Sequence, residues 1–301
     1  MERFATEPIL TFLWPSRWES ARFTFASQLV PAHRPIPLPT WNALFNPPIT
    51  ATFFREKILT PPGLCHSLLE NMQSVEFYGD KRQIAACAFC GAGTETRDHV
   101  PSRVFLDEPH PANLPHVAAC ADCNQGLSLD EQYLACLIEC TLCGSANAAD
   151  LRRDKIRRTL EESALLARRL EQARRVGADG AISFIPEPDR VRRVLLKLAQ
   201  GHAVYELNEP VRHDPSSLRF APLSTLINDD RFSFEAQPEP ELAPWPEVGS
   251  RAMVRMVEGQ DLQEGWVVVQ PGRYRYMAVA ERSTIIRLVI SEYLGCEAVW
   301  A

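Results

Sequence analysis

Four cysteines stand in two pairs, Cys87-Ala88-Phe89-Cys90 and Cys120-Ala121-Asp122-Cys123, and they constrain the fold more than any other feature of the chain. In each pair a two-residue spacer lets one tight turn aim both sulfurs at one point. Two such turns complete a tetrahedral thiolate shell around Zn2+. A redox CxxC needs only one pair and a βαβ setting, which is missing here. The 29 residues between the pairs exceed what a compact zinc ribbon needs, so something is built inside the gap.

The chain has 301 residues and nine cysteines. No run of 18 or more apolar residues exists, so no membrane span is expected. The apolar stretch Ile9–Trp14 is too short for a signal peptide and ends at Pro15. The expected compartment is therefore the cytoplasm, where paired cysteines point to metal rather than disulfides. The formal net charge of −6 argues against a protein that coats nucleic acid but leaves room for a local basic face.

Organisation changes along the chain. Ten of the 24 prolines lie in residues 1–80, a density that blocks helix interiors and sheet ladders. Yet Trp14, Trp18, Phe23, Phe25, Trp41, Phe45, Phe53 and Phe54 are many aromatics for a disordered tail. Either this leader drapes over the rest, or it lies outside the working protein and Met72 is the start. Residues 84–126 are turn-rich. Ser128-Leu129-Asp130-Glu131 fits a capping box opening a helix that turns Leu134, Leu137, Ile138 and Leu142 inward. A second helix is expected from about Asp150 to Val176. A third is expected from Asp189 to about Tyr205, with Val191, Val194, Leu195, Leu198 and Ala199 on one face. Pro238–Pro246 reads as a turn or linker. Beyond it Gly265–Val269, Tyr274–Val279, Thr284–Ile290 and Glu297–Trp300 read as antiparallel strands, the first two joined at Pro271–Gly272.

Inside the gap lie Arg97-Asp98-His99-Val100-Pro101 and Asn113-Leu114-Pro115, and Asn124 follows Cys123 directly. With these residues the segment from Cys87 to Asn124 resembles the HNH endonuclease family, in the version stapled by a four-cysteine zinc site. Cleaving a phosphodiester requires an activated water and stabilised negative charge. A near-neutral histidine supplies the first, and a divalent cation on hard oxygen ligands supplies the second. The resemblance implies a ββα-metal module in which His99 is the general base and Asn113 holds the hairpin and orients His99. It further implies that Asp98 and Asn124 bind a catalytic Mg2+ or Mn2+. On a regular strand Asp98 and His99 would point to opposite faces, so a site using both needs a distorted hairpin. The capping box at Ser128 also suggests a helix that starts after Asn124, in which case Asp130 or Glu131 would reach the metal instead.

Other features stay open. His110 and His116 flank the same hairpin, either touching phosphate or standing as loop histidines without a role. Cys136, Cys140 and Cys143 recur at helical spacing and read as small buried residues rather than half a second metal site. Cys65 and Cys296 are isolated. Residues 151–200 hold 13 Lys or Arg against seven Asp or Glu, while 201–301 hold nine against 15. The basic stretch, including Arg152, Arg153, Lys155, Arg157, Arg158, Arg168, Arg169, Arg174 and Arg175, fits either a phosphate-tracking face or a solvated helix with pairs such as Arg157–Glu161 and Arg158–Glu162. His202 reads as structural.

The expected fold class is α+β: a zinc-stapled ββα-metal nuclease module, then helices, then a C-terminal antiparallel β-rich domain. The expected divisions are a Pro-rich leader at 1–80, the nuclease module at 81–146, a helical basic segment at 147–210 and the β-rich domain at 211–301. The expected function is that of a metal-dependent endonuclease hydrolysing phosphodiester bonds in nucleic acid, with DNA as the partner and no membrane. The rival is a non-catalytic zinc-stapled module that binds nucleic acid or another partner.

Overall fold

The computed structural model of the protein describes residues 85–178, 180–237, 246–258, 265–280 and 282–301, and the backbone of residues 25–26. The rest of the expected leader, including Met72 and Cys65, and most of the expected linker at 238–246 lie outside the described residues. The class is α+β. No helix among the described residues is long and apolar enough to cross a membrane.

The cysteine-rich segment carries a short hairpin, β2 (Thr96–His99) with β3 (His116–Ala119), followed at once by α1 (Ala121–Gly126) and α2 (Ser128–Cys143). Helix α2 buries Tyr133, Leu134, Ala135, Cys136, Leu137, Ile138 and Cys140. A helix apolar on nearly every side belongs in the middle of a fold, and α2 lies there. It stops at Gly144, whose left-handed φ of 68° lets its N–H reach back to the carbonyls of Cys140 and Thr141.

The expected single helix at 150–176 is two, α3 (Asp154–Glu162) and α4 (Ala164–Ala173). The break is Ser163. Its N–H closes α3 on Thr159, and its hydroxyl accepts from Leu166 N to cap α4. After α4 the chain forms a small sheet of β1 (Phe25–Ala26), β5 (Ile182–Phe184) and β4 (Arg174–Val176), in the order β1-β5-β4. Helix α5 (Pro188–His202) begins with proline, whose missing N–H costs nothing in a first turn. It buries Val191, Val194, Leu195, Leu198 and Ala199 as expected and continues into a π-helical turn at Ala203–Leu207.

The C-terminal strands form a five-stranded antiparallel sheet. Its members are β6 (Ser217–Pro222), β7 (Val267–Gln270), β8 (Tyr274–Ala280), β9 (Thr284–Ile290) and β10 (Leu294–Trp300), in the order β6-β10-β9-β8-β7. Strand β6 was not anticipated. Alternation sorts its side chains. Tyr274, Tyr276, Ile286, Leu288, Cys296 and Trp300 face the main core, while Met277 and Val289 face a smaller cluster with Leu223, Phe234 and Trp266. Phe234 comes from α6 (Asn228–Glu235). The short α7 (Arg251–Glu258) precedes the sheet's last four strands.

One core runs from Ala88 and Val100 of the cysteine-rich segment through α2 and α5 to Trp300. The divisions expected near 146 and 210 therefore fall inside a single packed body. The hairpin is locked to α5 at one tight point. A Cβ on Gly201 would lie 2.6 Å from Val100 Cγ2, so only glycine lets the strand end sit so close to the helix.

Candidate metal centre and hairpin site

Both CxxC turns are built by backbone bonds. In the first, Gly91 N donates to Cys87 O at 2.9 Å and Cys87 N donates to Ala92 O at 2.8 Å, with Gly91 at a φ of 81°. The turn is tied to the hairpin by Ala88 N donating to Ala118 O. In the second, Asn124 N donates to Cys120 O at 3.1 Å, and Cys120 is the N-cap of α1, its sulfur accepting from Cys123 N.

The ligand atoms of Cys87, Cys90, Cys120 and Cys123 all lie within 4.8 Å of one another, and Cys90 Sγ is 3.7 Å from Cys120 Sγ. A tetrahedron with Zn–S bonds of about 2.3 Å has edges of about 3.8 Å. The four sulfurs thus have the spacing to hold a metal such as zinc. Without a cation they cannot ionise together. Burial would raise the Cys87 thiol, but hydrogen bonds from Cys120, Cys90 and Phe89 bring it down to about 6. Cys123 is pushed up by burial and by the three neighbouring sulfurs. A bound dication would reverse that suppression. Among the described residues this is the one such ligand cluster. Cys136, Cys140 and Cys296 are buried in the main core, and Cys143 donates to Glu139.

Helix α1 starts directly after Cys120, earlier than the capping box suggested, and Asn124 is on it. The box itself does not form. Ser128 donates to Gln125 O, and Glu131 turns inward. The tertiary partners of Glu131 outcompete the local cap. Asn124 Nδ2 donates to Thr96 Oγ1 at 3.1 Å and Arg97 O at 3.3 Å, clamping α1 to β2. Asn113 sits exposed in the turn before β3.

The hairpin ladder is regular from residue 96 to 99, pairing Asp98 with Val117 and His99 with His116. The distortion needed to bring Asp98 and His99 to one side is absent from this ladder. Asp98 is buried, and Lys197 Nζ lies 2.7 Å from its Oδ2. The contact is an ion pair whose angle is poor for a hydrogen bond, since that oxygen has no well-directed donor. The same ammonium donates to Glu131 Oε1 at 2.8 Å, and Ser102 Oγ donates to that oxygen at 2.7 Å. Burial alone would lower the lysine, yet Glu131 and Asp98 hold it above its ordinary value. Burial raises Asp98, against the pull of Lys197. Asp130, the other carboxylate expected near a metal, is held by Arg190 and Arg193. The residues do not fit the implied Mg2+ or Mn2+. Asp98 and Glu131 already share an ammonium, and Asp130 is paired with two arginines.

His99 lies on the opposite side of the hairpin. Its ring is 6.3 Å from that of His116, edge to face, and its Nδ1 is buried without a partner among the described residues. Burial lowers its pKa, helped by Arg103, His116 and His110, while the Pro115 carbonyl opposes the shift. His116 is lowered by burial and by Arg97 and Arg251. Next to them a cavity of about 480 Å3 is lined by Arg97, His116, Tyr205, Arg251 and Thr96, with Glu95 its one carboxylate. Arg97 has no carboxylate partner among the described residues. Arg251 donates to Tyr205 O and covers the Tyr205 ring at 4.0 Å.

The basic stretch at 151–200 is partly structural. Arg153 is buried, bonding Asp107 and the carbonyls of Val104 and Leu106. Arg157 pairs with Asp154 rather than Glu161, and Arg169 with Glu187. His202 is buried, bonded to Tyr274 and stacked on Tyr276 at 3.7 Å, a structural position as expected.

Sequence reasoning missed Lys197, Arg97 and Arg251. A signal existed for the first: Val194, Lys197 and Gly201 share one helical face, so a lysine stands in an apolar stripe. Comparison with known protein families, characterised proteins and solved structures finds no match.

Proposed function

We propose that the protein hydrolyses phosphodiester bonds in nucleic acid, DNA first, on the outer face of the β2–β3 hairpin, with one zinc ion on the four cysteines as a structural staple. The observation that carries this reading is the company His99 keeps. Half-buried His99 stands across one register position from exposed His116, which lines a cavity with Arg97 and Arg251. Arg97, His116 and Arg251 outnumber Glu95, the one carboxylate of that lining, and a phosphate would balance them. The neutral His99 imidazole takes the proton from water as the water oxygen bonds to phosphorus. The bond from phosphorus to the leaving oxygen then breaks, and Arg97 and Arg251 stabilise the charge that develops. Divalent-metal chemistry forms no step of this reading.

The test is single-turnover cleavage of plasmid DNA and of RNA by zinc-loaded protein, wild type against His99→Ala. Loss of the base is expected to lower the rate about 10²–10⁴-fold at unchanged zinc content. Equal rates in the two proteins would refute the assignment. The Asp98–Lys197 pair favours a second reading, in which the module binds nucleic acid without cutting it. Tight binding by both proteins, with cleavage by neither, is its signature.

A further inference from the structure

We infer that Lys197 is a built-in cation standing where a divalent metal would bridge Asp98 and Glu131, so that this hairpin works without Mg2+ or Mn2+.

Three elements converge on the site. Asp98 comes from β2, Glu131 from the first turn of α2 and Lys197 from the third turn of α5. Both carboxylates are among those that sequence reasoning offers as metal ligands, Asp98 through the Asp-His motif and Glu131, with Asp130 as its alternative, through a helix expected to start at the capping box. They do meet, and an ammonium lies between them at 2.7 and 2.8 Å. Asp98, Glu131 and Lys197 are all at least nine-tenths buried. Two such carboxylates without a cation would repel each other in a low-dielectric interior. The requirement for positive charge is therefore intrinsic to the carboxylates.

A lysine meets that requirement differently from a metal. It carries one charge rather than two, and its three hydrogen-bond directions suit few ligands. It cannot be diluted or chelated away. Its Nζ lies over the Phe89 ring, 5.6 Å from the ring centroid, so the first cysteine turn helps to seat it. The site faces the interior rather than the His99 side. It supplies no Lewis acid to a phosphate there, and it sets the position of β2 in all buffers alike.

The inference rests on the phosphodiester reading only for its consequence in cleavage, and its test is a binding measurement. Zinc-loaded wild type, Lys197→Ala and Lys197→Ala/Asp98→Asn are titrated with Mn2+ in resin-treated buffer. Free Mn2+ is followed by electron paramagnetic resonance. Wild type is expected to leave the signal undiminished at millimolar Mn2+. Lys197→Ala is expected to take up a single Mn2+, and the double variant none. Should the bare carboxylate pair unfold the chain, Lys197→Ala/Glu131→Gln keeps Asp98 opposite an amide oxygen, and uptake is read on that protein. The inference is overturned if wild type binds Mn2+ and Asp98→Asn abolishes that binding. It is equally overturned if the folded lysine variants bind none. A wild type that binds no Mn2+ and cuts no nucleic acid sinks the phosphodiester reading alone and leaves Lys197 in its place.

Discussion

Asp98 and His99, adjacent in the chain, face opposite sides of strand β2: Asp98 meets Lys197 inside the core, and His99 meets His116 across the outer hairpin face. A regular extended strand dictates this, because successive side chains alternate. The pair therefore divides its labour. Asp98 anchors the hairpin to α2 and α5, and His99 stays on the outer face. The side chains gathered there are the imidazoles of His99 and His116 and the guanidinium groups of Arg97 and Arg251, with Glu95 the one carboxylate lining the adjoining cavity.

The cysteine cluster gives the first prediction. Purified protein is expected to carry about one zinc per chain, as a four-thiolate shell requires. Cys120→Ser isolates the metal from the helix cap, since serine is itself a good N-cap. The variant should lose zinc while α1 keeps a capping acceptor. Hydrogen exchange should then quicken at Ala88 N and Gly91 N, which are bonded within and beside the first turn. The core built on α2, α5 and the large sheet should stay protected. Full zinc content in Cys120→Ser would show that the sulfurs do not act as one site.

Arg97 provides a test of the groove. It is exposed, belongs to the outer face with His116 and has no carboxylate partner among the described residues. If it meets a phosphate, Arg97→Ala should weaken binding to every DNA sequence alike. It should also reduce the slope of log K against log salt by about 1. Stability should hardly change, because no buried contact is removed. Fluorescence anisotropy across a salt series measures both quantities, and an unchanged slope would place the nucleic acid elsewhere.

What the sequence revealed and what it hid separate along one physical line. The cysteine pairs, α2, α5 and four of the five large-sheet strands declare themselves through short-range spacing. Periodicity and β-branched runs are local quantities. The capping box at Ser128 was also local, and it misled, because Glu131 gains more from Lys197 and Ser102 than from the serine N–H. The split at Ser163 escaped notice because the helical pattern continues on both sides of a single capping residue. The metal reading of Asp98 could not be checked locally at all. Its partner is on α5, and no spacing rule joins residue 98 to residue 197.

Gly201 supplies a prediction about how the site is positioned. A methyl group there would lie 2.6 Å from Val100 Cγ2 and 3.0 Å from Cγ1. Valine is stiff at χ1, and Val100 is buried, so the clash cannot be relieved by rotation into solvent. Gly201→Ala should destabilise by about 1–3 kcal/mol through overpacking. Adding Val100→Ala should recover part of the loss, since it removes the methyls that collide. Denaturant unfolding of the single and double variants reads this directly. A Gly201→Ala protein as stable as wild type would mean that α5 and the hairpin are free to separate.

His202 sets a pH dependence with a defined sign. It is fully buried, and burial drives its pKa down to about 3 from an ordinary 6.5. Tyr276 stacks on its ring, and Tyr274 bonds its Nε2. No carboxylate is among the groups that shift it. The unfolded chain takes up a proton at this residue as pH falls below 6.5, and the folded chain declines it until about 3. Between those values the unfolded state binds more protons, so stability must fall as pH falls. One proton contributes about 1.4 kcal/mol per pH unit, and the whole window amounts to about 5 kcal/mol as an upper bound. Carboxylates held low by arginines, such as Asp107, Asp130 and Glu235, add losses of the same sign at lower pH. The His202 share is separable by substitution. His202→Phe keeps a ring against Tyr276 and cannot titrate, so its stability curve should be flatter than wild type by about one proton from pH 6 to 4. Urea unfolding at half-unit steps of pH measures the two slopes. Parallel curves would mean that the imidazole is protonated in the folded protein, and that the burial argument for this residue is wrong.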